Sequence, residues 1–242
     1  DMATNITNTS ITTDDLIVDT NVLKVDSANN RVGIGTATPT QATLHVAGGN
    51  VPARLEGNAG TTYVQFGASA TTTYGQIAMT GNDMTLRTAY QDRMKIDSNG
   101  YVTKPNQPSF LMKKYSGGSN AIANNTVWTY DEALSNVGGH ANISNGRFTA
   151  PVAGSYCFMW HNIGEGSSSV YRSFIRYNAS STWGSGSYRL ESRNYHSAGY
   201  PNASAQVVVY LNASDYVDIY VSGGSLYSDT TNGVWFCGFL IG

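Results

Sequence analysis

Two stretches of this chain are apolar on both faces of an extended strand, and this restricts the fold more than any other feature. Tyr156, Phe158 and Trp160 alternate onto one face, while Cys157 and Met159 fall on the other. Near the end of the sequence, Phe236, Gly238 and Leu240 alternate with Trp235, Cys237, Phe239 and Ile241. Strands of this kind must be covered on both sides. The core of a β-sandwich covers one side. Left bare, the other would form a patch well above the few hundred Å² that soluble monomers expose. Closing three copies around an axis hides it, so the pattern predicts a homotrimer.

The rest of the composition points the same way. Charged residues make up 12% of the 242 residues, about half of the roughly 25% usual in a soluble domain. No window combines Ala, Leu, Glu and Lys at helical spacing over three turns. Val, Ile, Thr and Tyr suit pleated surfaces, and the many Gly and Asn residues suit turns. The expected fold class is all-β. The net charge is −2, and no run of Lys and Arg is long enough to track phosphates, so nucleic acid is not an expected partner. Apolar runs fall far short of the roughly 18 residues a spanning helix needs, so membrane insertion is not expected. Asp1-Met2-Ala3-Thr4-Asn5 lacks the basic and apolar regions of a signal peptide, and the start at a residue other than Met points to a fragment or a processed end. The two cysteines, Cys157 and Cys237, form no metal motif and no disulfide framework, and read as buried free thiols.

Along the chain, residues 1–25 are polar and then mildly apolar (Leu16, Ile17, Val18, Val22, Leu23), too light to make a core without partners. Residues 22–36 read as strand, turn, strand. Leu23/Val25 and Val32/Ile34 alternate with polar or small residues, around an Asp-Ser-Ala-Asn-Asn turn. A related unit returns at 94–102, where Lys95-Ile96-Asp97-Ser98 matches Lys24-Val25-Asp26-Ser27. Short strands are expected at 42–46, 63–66, 76–79 and 84–87. Lys104-Pro105-Asn106-Gln107-Pro108 marks a boundary, because two prolines so close disfavour helix and central strand alike. The expected organisation is an N-terminal attachment or stalk segment at 1–25, a β-rich shaft with two related hairpins at 26–104, and a compact domain at 105–242 with about ten short strands, the pattern of a sandwich or jelly roll.

Two parts of the sequence resemble known families. Asn29-Asn30-Arg31-Val32-Gly33-Ile34-Gly35-Thr36-Ala37-Thr38-Pro39, ending in Leu44-His45-Val46, resembles a unit of phage tail-fibre and other phage structural proteins, most of all those of cyanobacterial and marine phages. The C-terminal part resembles the globular head of the complement and tumour necrosis factor superfamily. The residues that carry this are Trp128-Thr129-Tyr130, Ser135 to Gly139, Gly146-Arg147-Phe148 through Gly154-Ser155-Tyr156-Cys157-Phe158, Val207 to Leu211 with Ser214-Asp215-Tyr216-Val217, and Val234-Trp235-Phe236-Cys237-Gly238-Phe239-Leu240-Ile241. Between 163 and 201 the pattern is weak. The resemblance implies a homotrimeric ten-stranded jelly roll whose first, third and last strands line an inner sheet. Tyr156, Phe158, Met159, Trp160, Phe236, Phe239 and Leu240 are then expected at the core and trimer interface. Cys157 and Cys237 would lie on neighbouring strands but on opposite faces, which argues against a disulfide.

Little in the chain supports an enzyme. Gly33-Ile34-Gly35 is a lone Gly-x-Gly with no helix after it, so it reads as a close approach of strands rather than a dinucleotide site. Asp97-Ser98-Asn99-Gly100 begins like a calcium loop, lacks the later ligands, and reads as a hairpin turn. His45, His140, His161 and His196 show no metal spacing. Glu165 and Glu191 are the one carboxylate pair to weigh for glycoside cleavage. No cofactor and no metal is expected. The segment 164–202 is the favoured binding region. It holds Trp183, Tyr188, Arg193, Tyr195, His196 and Tyr200, and aromatics and Arg are enriched at recognition sites. Tyr171, Ser173, Ile175 and Tyr177 within it alternate like strand residues with a buried face. Tyr227-Ser228-Asp229 is a further candidate.

The combined expectation is a virion protein acting outside the host cell. It would be a distal tail-fibre or appendage protein joined through its N-terminal region to other phage structural proteins, whose head binds bacterial surface polysaccharide or an outer-membrane protein. A collar fibre without receptor binding and a secreted complement-like lectin are the alternatives.

Overall fold

The structure, a computed structural model, describes residues 15–18, 22–26, 28–36, 38–39, 44–48, 60–66, 75–165, 169–180, 190–196, 199–231 and 233–242. Residues 1–64 with 78–81 form one compact unit, and residues 65–77 with 82–242 form another.

In the first unit, β1 (Asp15–Val18), β2 (Leu23–Asp26), β3 (Arg31–Ile34) and β4 (Leu44–Val46) make a four-stranded sheet in chain order. The expected hairpin is β2–β3. Leu23 pairs with Ile34 and Val25 with Val32, so the alternating apolar residues share one face. Asp26 closes the turn by accepting the backbone N–H of Asn29 at 3.2 Å, and Asn30 takes a positive φ of 52°. β4 runs parallel to β3. Gly35 is required where the two meet: its φ is +74°, and a Cβ there would lie 1.9 Å from the Ala47 carbonyl oxygen.

A second sheet contains β5 (Thr61–Phe66), β6 (Gly75–Thr80), β7 (Asp83–Thr88), β8 (Gln91–Ile96) and β9 (Val102–Thr103). The repeat seen in the sequence closes β8–β9. Asp97 Oδ1 accepts the N–H groups of Asn99 and Tyr101, each at 2.9 Å, and Gly100 has φ +85°. That accounts for the calcium-like start as a turn.

The remaining strands are β10 (Ser109–Lys114), β11 (Gly118–Ile122), β12 (Glu132–Val137), β13 (Ala141–Asn142), β14 (Arg147–Thr149), β15 (Gly154–Ile163), β16 (Ser169–Tyr177), β17 (Leu190–His196), β18 (Asn202–Leu211), β19 (Tyr216–Ser222), β20 (Leu226–Ser228) and β21 (Val234–Leu240). Ten of them form two five-stranded sheets, ordered β12-β10-β21-β15-β18 and β13-β14-β19-β16-β17, while β11 and β20 form a separate ribbon. This is the all-β, jelly-roll-like sandwich that the turn chemistry and short strand periods imply. In the first sheet, β10 and β12 shift register between Leu111 and Met112, leaving Leu134 between the partners of those two residues.

The core lies between the sheets. Phe110, Met112, Tyr156, Phe158, Trp160 and Phe236 from one meet Phe148, Ile175, Val217, Ile219 and Val221 from the other. The aromatic rings interlock at the centre: Phe110 stacks on Phe148 at 4.8 Å and meets Phe236 edge-on at 4.9 Å. Gly238 lets β21 pass close to β15, since a Cβ there would lie 2.4 Å from the Phe158 ring and 2.9 Å from the Cys157 carbonyl oxygen. Tyr171, Ser173 and Ile175 are buried, in keeping with the alternation read from the sequence.

Candidate functional site

Each strand that buries one face in the core turns the other outward, and the outward face of the β12-β10-β21-β15-β18 sheet is apolar. Its composition follows from the registers. Val208, Cys157, Phe239 and Ser109 lie in one row. Gln206, Met159, Cys237 and Leu111 lie in the next, followed by Ser204, His161, Trp235 and Lys113. Leu134, Val208, Tyr210 and Phe239 are 56%, 58%, 63% and 42% exposed. Trp235 stands between two hollows. One of about 430 Å³ is lined by Leu111, Lys113, Leu134, Trp235 and Cys237, and one of about 300 Å³ by Met159, Ser204, Ala205, Gln206 and Trp235. His161 stacks on Trp235 with ring centres 5.8 Å apart, and its Nδ1 is 3.0 Å from Ser204 Oγ. Burial holds the His161 imidazole below its usual range.

The expectation that Cys157 and Cys237 point to opposite faces is corrected here. Cys157 pairs with Phe239 and Met159 with Cys237, so the two thiols are diagonal neighbours on the same outward face. Both are free. Burial, with the neighbouring Cys157 adding to it, pushes the Cys237 thiol up, away from the reactive thiolate.

The residues expected at the core and trimer interface divide between the two sides of this sheet. Tyr156, Phe158, Trp160 and Phe236 are buried in the sandwich core, and Leu240 packs against it. Met159 and Phe239 lie on the outward face.

Of the residues expected to bind, Trp183 and Tyr188 lie outside the described residues. Arg193 is exposed on β17 and donates to Glu191. Tyr195 and His196 pair with Val170 and Ser169 in the β16–β17 ladder, with side chains outside the described set. Tyr200 is exposed and packs on Tyr227 at 4.6 Å. The Tyr227 hydroxyl donates to Asp229 at 2.6 Å, so Tyr200 joins the further candidate read from the sequence rather than Arg193. The two glutamates weighed for glycoside cleavage have separate structural partners. Glu165 accepts the Asn120 N–H, and Glu191 takes Arg193. Among the described residues no group of three or more His, Cys, Asp or Glu side chains could hold a metal ion.

A second surface takes Arg172, Arg176 and Arg193 from the favoured segment 164–202 and joins them to Arg147 and Asp218, which the sequence reading did not connect with it. On the outward face of the other sheet, Asp218 is fully buried beneath Arg176, which reaches it twice, at 2.7 and 3.0 Å, and beneath Arg147, whose Nε is 3.5 Å away. Arg147 lies over the Tyr216 ring at 4.1 Å and Arg176 over Tyr220 at 4.8 Å. The alternations Arg172-x-Phe174-x-Arg176 and Tyr216-x-Asp218-x-Tyr220 carry the signal for this face.

The C1q domain matches this sequence over residues 110–241, more than half of the chain. The chain belongs to the C1q domain family. Three solved structures similar to it are the globular domain of zebrafish complement 1qA protein, murine APRIL at pH 5.0 and the Eiger TNF of S. frugiperda. The first is 21% identical, covers 56% of this chain and 98% of its own, and has a TM-score of 0.45. The second is 8% identical, covers 54% and 98%, and has a TM-score of 0.41. The third is 10% identical, covers 56% and 94%, and has a TM-score of 0.39. The C1q domain here is the jelly-roll head of β10 to β21. Domains of this kind are generally non-enzymatic binding modules that often form trimers.

Proposed function

We propose that this chain is the distal protein of a phage tail fibre or related virion appendage. Its C1q head forms a homotrimer through the outward face of the β12-β10-β21-β15-β18 sheet and binds the bacterial host surface, either polysaccharide or an outer-membrane protein. The observation that carries the reading is the pairing, in one chain, of the Val32-Gly33-Ile34-Gly35-Thr36 unit with a C1q head whose outward sheet face is apolar. Leu134, Val208, Tyr210 and Phe239 stay exposed although the core beneath them is already filled. A second and third copy of the same face are the partners that suit such a surface, and three copies of a weak site raise avidity without new contacts.

The test is solution mass by light scattering after size exclusion, followed by adsorption of the purified chain to candidate host cells. A mass near three times 25.9 kDa that persists on dilution, with loss of the assembly in Phe239→Asp, supports the trimer. Competition between the purified chain and phage for host cells supports the adhesin role. A stable monomer overturns the assembly. A trimer that adsorbs to no host cell, and blocks no infection, leaves a collar or neck fibre without receptor binding.

A further inference from the structure

The outward face of the β13-β14-β19-β16-β17 sheet carries more positive charge than the fold needs. The registers set it out in rows. The first is Arg147, Asp218, Arg176; the second is Tyr220, Phe174, Glu191; the third is Ser222, Arg172, Arg193. Four guanidiniums share two carboxylates, so 4 − 2 leaves two positive charges over, on a chain whose net charge is −2.

Two details show that this surplus is not absorbed within the sheet. Arg172 stands directly opposite Arg193 across the β16–β17 ladder, and like charges in that position oppose folding. Arg193 has Glu191. Arg172 makes no hydrogen bond or ion pair among the described residues, and its buried Nε has no partner. A buried donor left unpaired is costly to the fold. At the other row, Arg147 shares Asp218 with Arg176, and its Nε also lacks a hydrogen bond. Its side chain is 37% exposed, and that of Arg193 is 39% exposed.

We infer that this face binds an anionic polysaccharide, with its charged groups seated on Arg172 with Arg193 and on Arg147. The guanidinium fork matches the paired oxygens of carboxylate, sulfate and phosphate groups. Arg172 and Arg176 are four residues apart on one strand, so the two rows lie about 13 Å apart. A ligand spanning both must repeat its charge at intervals, as a polymer does and a single inorganic ion does not. Two surplus charges are too few for nucleic acid, whose binding commonly neutralises about six to ten phosphates. The inference deepens the binding-head reading by naming the ligand class, and it rests on that reading only for where the ligand is met.

The experiment measures binding of the full chain to dextran sulfate, polygalacturonate and uncharged dextran of similar length, at low and moderate salt. Wild type, Arg172→Gln, Arg193→Gln and Arg172→Lys are compared, together with their thermal midpoints. The expected result is salt-sensitive binding to at least one charged polymer and none to dextran. Arg172→Gln weakens it about tenfold, while its thermal midpoint holds or rises, because an unpaired charge and a like-charge contact are removed. Arg172→Lys keeps the charge, loses the fork and falls between. Preference for the sulfated or the carboxylated polymer identifies the source of the anion. Absence of binding to both charged polymers overturns the inference, as does binding that Arg172→Gln leaves intact, or tighter binding to a short DNA duplex. Charged-polymer binding that persists without host-cell adsorption removes the adhesin role and leaves this site standing.

Discussion

Trp160 reaches across the sandwich to Ser173, its indole N–H donating to the hydroxyl at 2.9 Å. The same hydroxyl accepts Asn162 Nδ2 at 2.6 Å, so one small side chain on β16 satisfies two donors from β15. Both ends of this link are buried. Ser173→Ala removes the acceptor and leaves two donors without it, which costs about 1–3 kcal/mol. Urea unfolding checks this. The midpoint is expected to fall with an unchanged slope, and a variant as stable as wild type would show that the link contributes nothing.

Gly238 offers a test of packing rather than polarity. The Cβ of an alanine there would meet the Phe158 ring and the Cys157 carbonyl oxygen, and the second of these is backbone that cannot swing aside. Gly238→Ala should cost about 1–3 kcal/mol through overpacking. Chemical denaturation reads the loss directly. Adding Phe158→Leu, which vacates part of the ring's space, should recover some of it relative to Phe158→Leu alone.

His161 predicts a dependence on pH. Burial favours its neutral form in the folded chain, whereas the unfolded chain takes up the proton near pH 6.5. The unfolded state therefore binds more protons first as pH falls. The stabilising effect of the neutral ring is full above about pH 6.5, drains away below it, and levels off once the folded ring also protonates. Thermal midpoints measured from pH 7.5 down to 5 should fall more steeply for wild type than for His161→Gln. Parallel curves would show that this histidine is not the group responsible.

Much of the fold was legible because alternation is a local signal. Tyr156-x-Phe158-x-Trp160 and Phe236-x-Gly238-x-Leu240 declared strands with two apolar faces, and Asp97 through Gly100 declared its turn. What alternation does not set is the phase of one strand against the next. Cys157 and Cys237 share a face because Cys157 pairs with Phe239, a register fixed by which set of aromatics fills the core. The arginine rows were illegible for a similar reason. Arg147, Asp218, Arg172 and Arg193 come from four strands, and only the sheet order makes them neighbours. Tyr200 is exposed, and its partner Tyr227 lies on another segment of the chain, a contact that local pattern does not reveal.

The shift at Leu111/Met112 has a meaning for how this molecule can aggregate. It sits between β10 and β12, at the margin of the sheet, where an even ladder would offer a template for further strands. The irregular spacing spoils that template. At the opposite margin, the Asn202 carbonyl on β18 already accepts Asn194 Nδ2 at 2.7 Å. With both borders blunted in this way, lateral addition of further strands to this sheet, the first step toward a fibril, is disfavoured.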